Sequence, residues 1–397
     1  MSHNGTMTDL ERILKLWREL ESAAADYVLA TVFAVQGPSY RKPGALMLLS
    51  PDGRRAGTVS GGCLEAQIAS RAWWLTANGP TVQRYSTAED DGDRPFGSGC
   101  GGVVFLLLER RKTAAPLLAA VERSFNLRVP LAVATVLEGR DIGHRVFAGL
   151  EGESPTGLNP EVGRSEGREE SLRDLAERAL SNRKSIESAI AAGEISGKAW
   201  ADYRPARHGL WVFGAGDDAQ PLLCMAKELG WFVSVSDGRG HLATRERFPL
   251  ADELHILPIE DLPGCVPGQS PHVLGGLGPD DTAVIMTHSF EQDTKILAYL
   301  LMLDTPPAYT GVLGPQRRTR ELLSGAAHLL NIPPSETNAK VERWLTQLHA
   351  PTGLDLGAES PETISLSIIA EIQKFHTAAT ALPLRTLRKQ PPVDSDD

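Results

Sequence analysis

Leu10, Ile13, Leu14, Trp17 and Leu20 recur at intervals of three and four, which predicts an amphipathic helix over residues 8–25. Thr8 and Glu11 form a capping-box pair at its start. The β-branched run Tyr27–Val35 predicts a strand, and the Gly37-Pro38-Ser39 turn leads to a second one at Ala45–Leu49. Pro51-Asp52-Gly53 is a tight turn before a third strand ending at Val59. A helix follows Cys63 to about Ala77, closed by Asn78-Gly79. Strands at Thr81–Tyr85 and Val103–Leu108 flank the polar Ala88–Gly102 loop. A helix at Thr113–Phe125 and a strand at Leu131–Leu137 follow.

Gly, Glu, Ser and Pro dominate residues 151–170, which predicts a mobile loop, and Glu169–Ala192 has helical composition. Arg204-Pro205 interrupts the pattern, placing a boundary at Asp202–His208. Beyond it, strands at Leu210–Phe213, Phe232–Ser236, Leu254–Leu257, Ala283–Thr287 and Tyr309–Leu313 alternate with helices, of which Ala219–Leu229 and Thr294–Leu303 give the clearest signals. This βαβ rhythm predicts a mainly parallel, doubly wound sheet. A last helix, about Glu362–Phe375, has Ser360 as N-cap and Pro361 at its first position. The expected fold class is α/β. A mixed α/β domain covers residues 1–201, a Rossmann-like domain covers 202–388, and 389–397 form a disordered tail.

The chain's 397 residues suffice for two such domains. Its net charge of −10 leaves no basic footprint for nucleic acid and none for a polybasic membrane role. No apolar run approaches the roughly 18 residues of a membrane helix. Glu11, Arg12, Lys15 and Arg18 within the first apolar pattern argue against a signal peptide. Cys63, Cys100, Cys224 and Cys265 are too few and too scattered for a disulfide framework, so a reducing cytoplasm is expected.

Two regions carry candidate chemistry. In Gly57–Glu65, a strand enters the Ser60-Gly61-Gly62 turn and Cys63 stands where a helix begins. Paired glycines let backbone N–H groups approach a ligand, and the helix start favours an anion or a thiolate. Cys100 lies in a second glycine cluster, Gly97–Gly102, while Ser39 and Arg41 in the Gly37–Gly44 turn are candidate anion contacts. The second region is Gly214-Ala215-Gly216-Asp217-Asp218-Ala219, a G-x-G-x-x-A turn between a strand and a helix. Asp237 stands about 20 residues on, where a ribose-binding acid belongs. Arg239 beside it offers a contact for an extra phosphate, so the nucleotide is open. His288 ends the Ala283–Thr287 strand, and Arg317 and Arg318 open the helix after Gly314-Pro315. In a parallel sheet all these ends share one edge.

In combination these segments resemble the XdhC/CoxI family of xanthine dehydrogenase accessory factors. The resemblance rests on Gly37–Gly44, Gly57–Glu65, the G-A-G-D-D-A turn with Asp237, and a C-terminal set. That set is His288–Asp293, Tyr309–Gly314, Thr352–Glu362 and Ser367–Ile372, so the match spans about residues 30–375. Tyr40 and Thr352 depart from the residues usual in the family, and the 139–205 segment matches poorly. The resemblance implies a cytoplasmic chaperone, not itself an enzyme, that binds the molybdenum cofactor (molybdopterin). It implies support for sulfuration together with a cysteine desulfurase, and delivery to a molybdenum hydroxylase apo-subunit such as that of xanthine dehydrogenase. Molybdopterin carries a phosphate and holds its metal through sulfur, which suits glycine-rich anion sites and a soft thiolate. The expected cofactor-binding set is Ser39, Arg41, Ser60, Gly61, Gly62, Cys63, Glu65, Cys100, Gly214, Gly216, Asp237, His288 and Arg317. Cys63 is the expected metal ligand, and a homodimer is the expected assembly. The two domains are expected to face each other across a cleft. The rival reading is an NAD(P)-dependent oxidoreductase that uses the Rossmann domain, with His288 as proton donor.

Overall fold

The computed structural model describes residues 7–62, 64–86, 102–139, 141–150, 166–192, 195–257 and 276–387. Cys63, Cys100, Cys265, residues 151–165 of the expected loop, Arg388 and the expected tail 389–397 lie outside that set. The chain divides into two compact units between Arg207 and His208, within the Asp202–His208 stretch where the pattern breaks.

In the first unit, α1 (Asp9–Ser22) begins with the Thr8–Glu11 capping box that its sequence predicts. Strands β1 (Val28–Gln36), β2 (Leu46–Leu49), β3 (Arg55–Gly57), β4 (Thr81–Ser86) and β5 (Val103–Arg110) form an antiparallel sheet in the order β3-β2-β1-β5-β4. Alternation of side chains along a strand sorts the two faces. Leu29 and Leu48 pack with Ile13, Leu14 and Trp17 of α1 and with Leu117 and Leu118 of α3 (Arg111–Leu127). Val28, Ala30, Val32 and Met47 pack on the opposite face with Ile68 and Ala72 of α2 (Glu65–Leu75).

A second sheet of this unit contradicts the pattern reading. Glu169–Ala192 reads as one helical segment, yet α4 (Glu166–Ser181) ends early and β8 (Ile186–Ala192) follows it. β8 pairs with β9 (Ile195–Arg204), which in turn pairs with β6 (Leu131–Val136), and β6 with β7 (Arg145–Ala148). The alanines that suggest helix are overridden by a continuous ladder between β8 and β9, a case of tertiary pairing outweighing local propensity. β9 also carries the first unit's pairing through Arg204, beyond the expected end of that domain at 201. Residues 166–170, where a loop is expected, belong to α4.

The second unit is a five-stranded, fully parallel sheet in the order β12-β11-β10-β13-β14. Its strands are β10 (Gly209–Phe213), β11 (Phe232–Asp237), β12 (Glu253–Ile256), β13 (Thr282–Ile285) and β14 (Tyr309–Val312). The order reverses between β10 and β13, which makes their C-terminal ends the switch point where doubly wound sheets bind ligands. Leu210 and Val212 face α5 (Ala219–Glu228) and α9 (Pro361–Thr377), while Trp211 and Phe213 face α6 (Phe290–Leu301), α7 (Gln316–Leu329) and α8 (Pro334–Leu345). Both faces are covered, as a parallel sheet requires.

Candidate functional site

The turn before Cys63 is fixed from behind by one carboxylate. Glu65, in the first turn of α2, is fully buried. Its Oε1 accepts the N–H groups of Ser60 (2.8 Å) and Val59 (3.2 Å), and its Oε2 accepts the Ser60 hydroxyl (2.6 Å). Ser60 Oγ in turn accepts the N–H groups of Leu64 (3.1 Å) and Gly62 (3.2 Å). Burial alone would raise the Glu65 carboxyl, but these bonds from Ser60 and Val59 outweigh it and hold it below the usual carboxylate range. Gly61 and Gly62 stay exposed, and Gly62 has φ +110, a conformation that favours glycine. The result is a rigid, solvent-facing Gly-Gly turn that delivers the chain to Cys63.

Two further loops reach the same end of the sheet. Arg41 donates through Nε (2.8 Å) and Nη2 (2.5 Å) to Thr58 Oγ1 and pairs with Asp9, and Ser39 donates to the Arg41 carbonyl (2.9 Å). A Cβ on Gly61 would meet the Tyr40 ring at 3.6 Å. β9 props this loop from the other side: Arg204 donates to the Gly44 carbonyl (2.9 Å) and pairs with the buried Asp202. The segment after Cys100 enters beside it, since Gln36 of β1 pairs with Val103 of β5. A Cβ on Gly102 would stand 2.0 Å from the Pro38 carbonyl oxygen. The loops bearing Cys63 and Cys100 therefore leave from one end of one sheet. Ser39, Arg41, Ser60 and Glu65 brace these loops through internal bonds, whereas Gly61 and Gly62 are exposed, with the Gly62 N–H directed at Ser60.

The Rossmann edge is equally wired. Gly214 has φ +130, and a Cβ there would lie 2.4 Å from the Met286 carbonyl oxygen, so the close approach of the β10 and β13 ends requires glycine. Gly214→Ala is expected to cost about 2 kcal/mol or more, read as a lowered denaturation midpoint. Asp237 is buried and both its oxygens are engaged. Oδ2 accepts the Ala215 N–H (2.8 Å) and Arg239 Nη2 (2.9 Å), and Oδ1 accepts Arg239 N (2.8 Å) and Nε (2.9 Å). Burial would raise this carboxyl, but Arg239 and the backbone donors bring it below its ordinary value.

Arg239 Nη2 also reaches the Thr287 carbonyl (3.2 Å). The Thr287 N–H (3.2 Å) and hydroxyl (2.5 Å) donate to the buried Asp293, whose other oxygen accepts Arg318 Nη2 (2.6 Å). One hydrogen-bonded chain thus crosses the C-terminal ends of β10, β11, β13 and β14. His288, at φ +60, stands beside it with Nε2 2.7 Å from Asp218 Oδ2, and Arg247 straps the turn through the Ala215 carbonyl (3.1 Å) and Asp217 (2.9 Å).

Gly214, Gly216, Asp237 and His288 are brought together as their spacing implies. Two of the expected contacts are placed otherwise. Asp237 is turned inward on Arg239 rather than outward toward a ribose. Arg317 is 90% exposed and pairs with Glu321, while its neighbour Arg318 makes the edge contact. Asp218, Arg247, Thr287 and Asp293 join the edge, although none of them belongs to the expected cofactor-binding set. Among these, Asp218 within the glycine turn and Asp293 in the stretch after the Ala283–Thr287 strand carry a sequence signal. Ser289 caps α6 by accepting the Gln292 N–H.

Fold and site define a two-unit α/β protein that joins a Gly-Gly-Cys turn domain to a Rossmann domain. Residues 210–372 match the XdhC Rossmann domain, and residues 20–86 match the XdhC and CoxI family. A protein of Bacillus subtilis (strain 168), named as a probable subunit of xanthine dehydrogenase, is 30% identical over 355 residues, 87% of this chain and 92% of that protein. The molybdenum cofactor insertion chaperone PaoD of Escherichia coli (strain K12) is 26% identical over 369 residues, 92% and 89% of the two chains. A crystal structure described as a xanthine dehydrogenase from Bacillus halodurans matches with a TM-score of 0.67 and 26% identity, over 96% of this chain and 100% of that one. The chain belongs to the XdhC and CoxI family.

Proposed function

We propose that the protein carries the molybdenum cofactor as cargo, supports its sulfuration with a cysteine desulfurase, and delivers it to the apo-subunit of a molybdenum hydroxylase such as xanthine dehydrogenase. The observation that carries this reading is the Glu65-braced Ser60–Gly62 turn that immediately precedes Cys63, with β5, which follows Cys100 in sequence, starting at the same sheet end. A thiolate is a soft ligand suited to a thiomolybdenum centre, and the exposed Gly61-Gly62 stretch leaves the cargo room to approach. The names of two relatives, one from xanthine dehydrogenase and the other a cofactor insertion chaperone, point the same way.

The chain's own residues would act by binding and release. The Gly61-Gly62 backbone and Cys63 hold the cargo, and Glu65 keeps the turn in shape while the metal end changes ligands. The inward Asp237 weakens the NAD(P)-dependent oxidoreductase alternative, because the carboxylate at the ribose-reading position is already committed to Arg239. A transfer assay tests the proposal. Cofactor-loaded protein mixed with apo-hydroxylase should restore hydroxylase activity, and a cysteine desulfurase should raise the yield further. Restoration that is equally fast with free cofactor, together with quenching of NAD(P)H fluorescence on addition of the protein, would favour the oxidoreductase reading instead.

A further inference from the structure

In a G-x-G-x-x-A turn the second glycine lacks a Cβ so that a diphosphate can approach the backbone. Here that space is filled from within. A Cβ on Gly216 would lie 2.4 Å from Asp218 Oδ1, and the next side chain to line the space is His288, whose Cδ2 is 4.0 Å away. Asp218 Oδ2 meets His288 Nε2 at 2.7 Å, and because a carboxylate only accepts, Nε2 carries the proton and donates it. His288 is 61% exposed and holds a left-handed φ of +60, a conformation that bulky residues adopt rarely and that recurs at ligand sites. Arg239 completes the surroundings. It is 40% exposed, it feels the charge of Asp218, and Asp237 and Thr287 occupy its Nε and Nη2 but leave the N–H groups of Nη1.

We propose that Asp218 is a built-in competitor for a phosphate group, occupying the phosphate position of the Rossmann turn and the His288 Nε2 donor until a phosphate displaces it. In the closed state the carboxylate accepts from His288. In the open state a phosphate monoester takes the same N–H, together with Arg239 and the turn backbone, and Asp218 swings to solvent. No covalent bond changes; one acceptor replaces another. The functional sense rests on the carrier reading. A carrier must also let go, and a tethered acid that recaptures His288 offsets part of the cost of releasing a bound phosphate.

Calorimetric titration of the full chain with inorganic phosphate tests this. Wild-type protein should bind weakly. Asp218→Ala and the isosteric Asp218→Asn should bind at least about tenfold tighter, the size expected when a like charge is removed at hydrogen-bonding range. Asp218→Ala combined with His288→Ala should lose that gain. Inorganic pyrophosphate in place of phosphate separates a monoester site from a diphosphate site: equal or weaker gain fits the proposal, and a gain confined to pyrophosphate overturns it. Affinities of the Asp218 variants within about twofold of wild type, in protein with an unchanged melting midpoint, would also overturn it. The molybdopterin-loaded chain distinguishes the two readings. Phosphate gain without any pterin retention removes the carrier and leaves the competitor, whereas retention without phosphate gain does the reverse.

Discussion

Glu65→Ala is expected to destabilise the first unit by roughly 2–4 kcal/mol and to empty the protein of cofactor. The size follows from the wiring. The Val59 and Ser60 N–H groups and the Ser60 hydroxyl would lose their buried acceptor at once. Glu65→Gln should fall between the two, since it keeps an oxygen but loses charge assistance. The acid limb separates them. The Glu65 pKa is lower in the folded than in the unfolded chain, so its contribution is fully present above the unfolded value. That contribution is lost as pH falls through the folded value. Denaturation curves should therefore show wild type and Glu65→Gln converging on acidification, and parallel pH profiles would contradict the assignment.

Cys63→Ala is expected to reduce cofactor retention at least about tenfold, equivalent to about 1.4 kcal/mol of binding, while leaving the denaturation midpoint in place. Cys63→Ser should fail similarly, because a hydroxyl is a hard, protonated ligand where a soft thiolate is called for. Cys100→Ala is expected to give a smaller loss. Equilibrium dialysis against molybdopterin, read by pterin fluorescence, measures all three. A Cys63→Ser variant that retains cofactor like wild type would leave the turn backbone as the binding element.

The Rossmann unit is legible in the chain because three signals agree: apolar strands, a glycine turn between strand and helix, and an acid at the end of the second strand. Orientation is not legible. Spacing locates Asp237, but whether it points to a ligand depends on Arg239, two residues later, whose fork closes on it. Arg317 and Arg318 are adjacent on α7 and lie about 100° apart around the helix, so one can face the sheet edge while the other meets solvent. Only packing of α7 against α6 sets that phase. Glu65 illustrates the same limit. Its place in the motif is plain, but its role as a brace depends on the folded turn above it. In the β6–β9 sheet β6 is legible as a strand, but β8 is hidden because its alanines carry helical propensity, and the partner of β9 in β6 is distant in sequence.

The central claim, that the Gly61–Cys63 turn holds molybdenum cofactor as cargo, is tested most directly by what the full chain carries from a molybdopterin-producing cell. Released ligands identified by mass spectrometry and fluorescence should show molybdopterin near one per chain in wild type, and almost none in Cys63→Ala folded to the same midpoint. Equal pterin content in the two proteins, or a nicotinamide dinucleotide in place of the pterin, would contradict it.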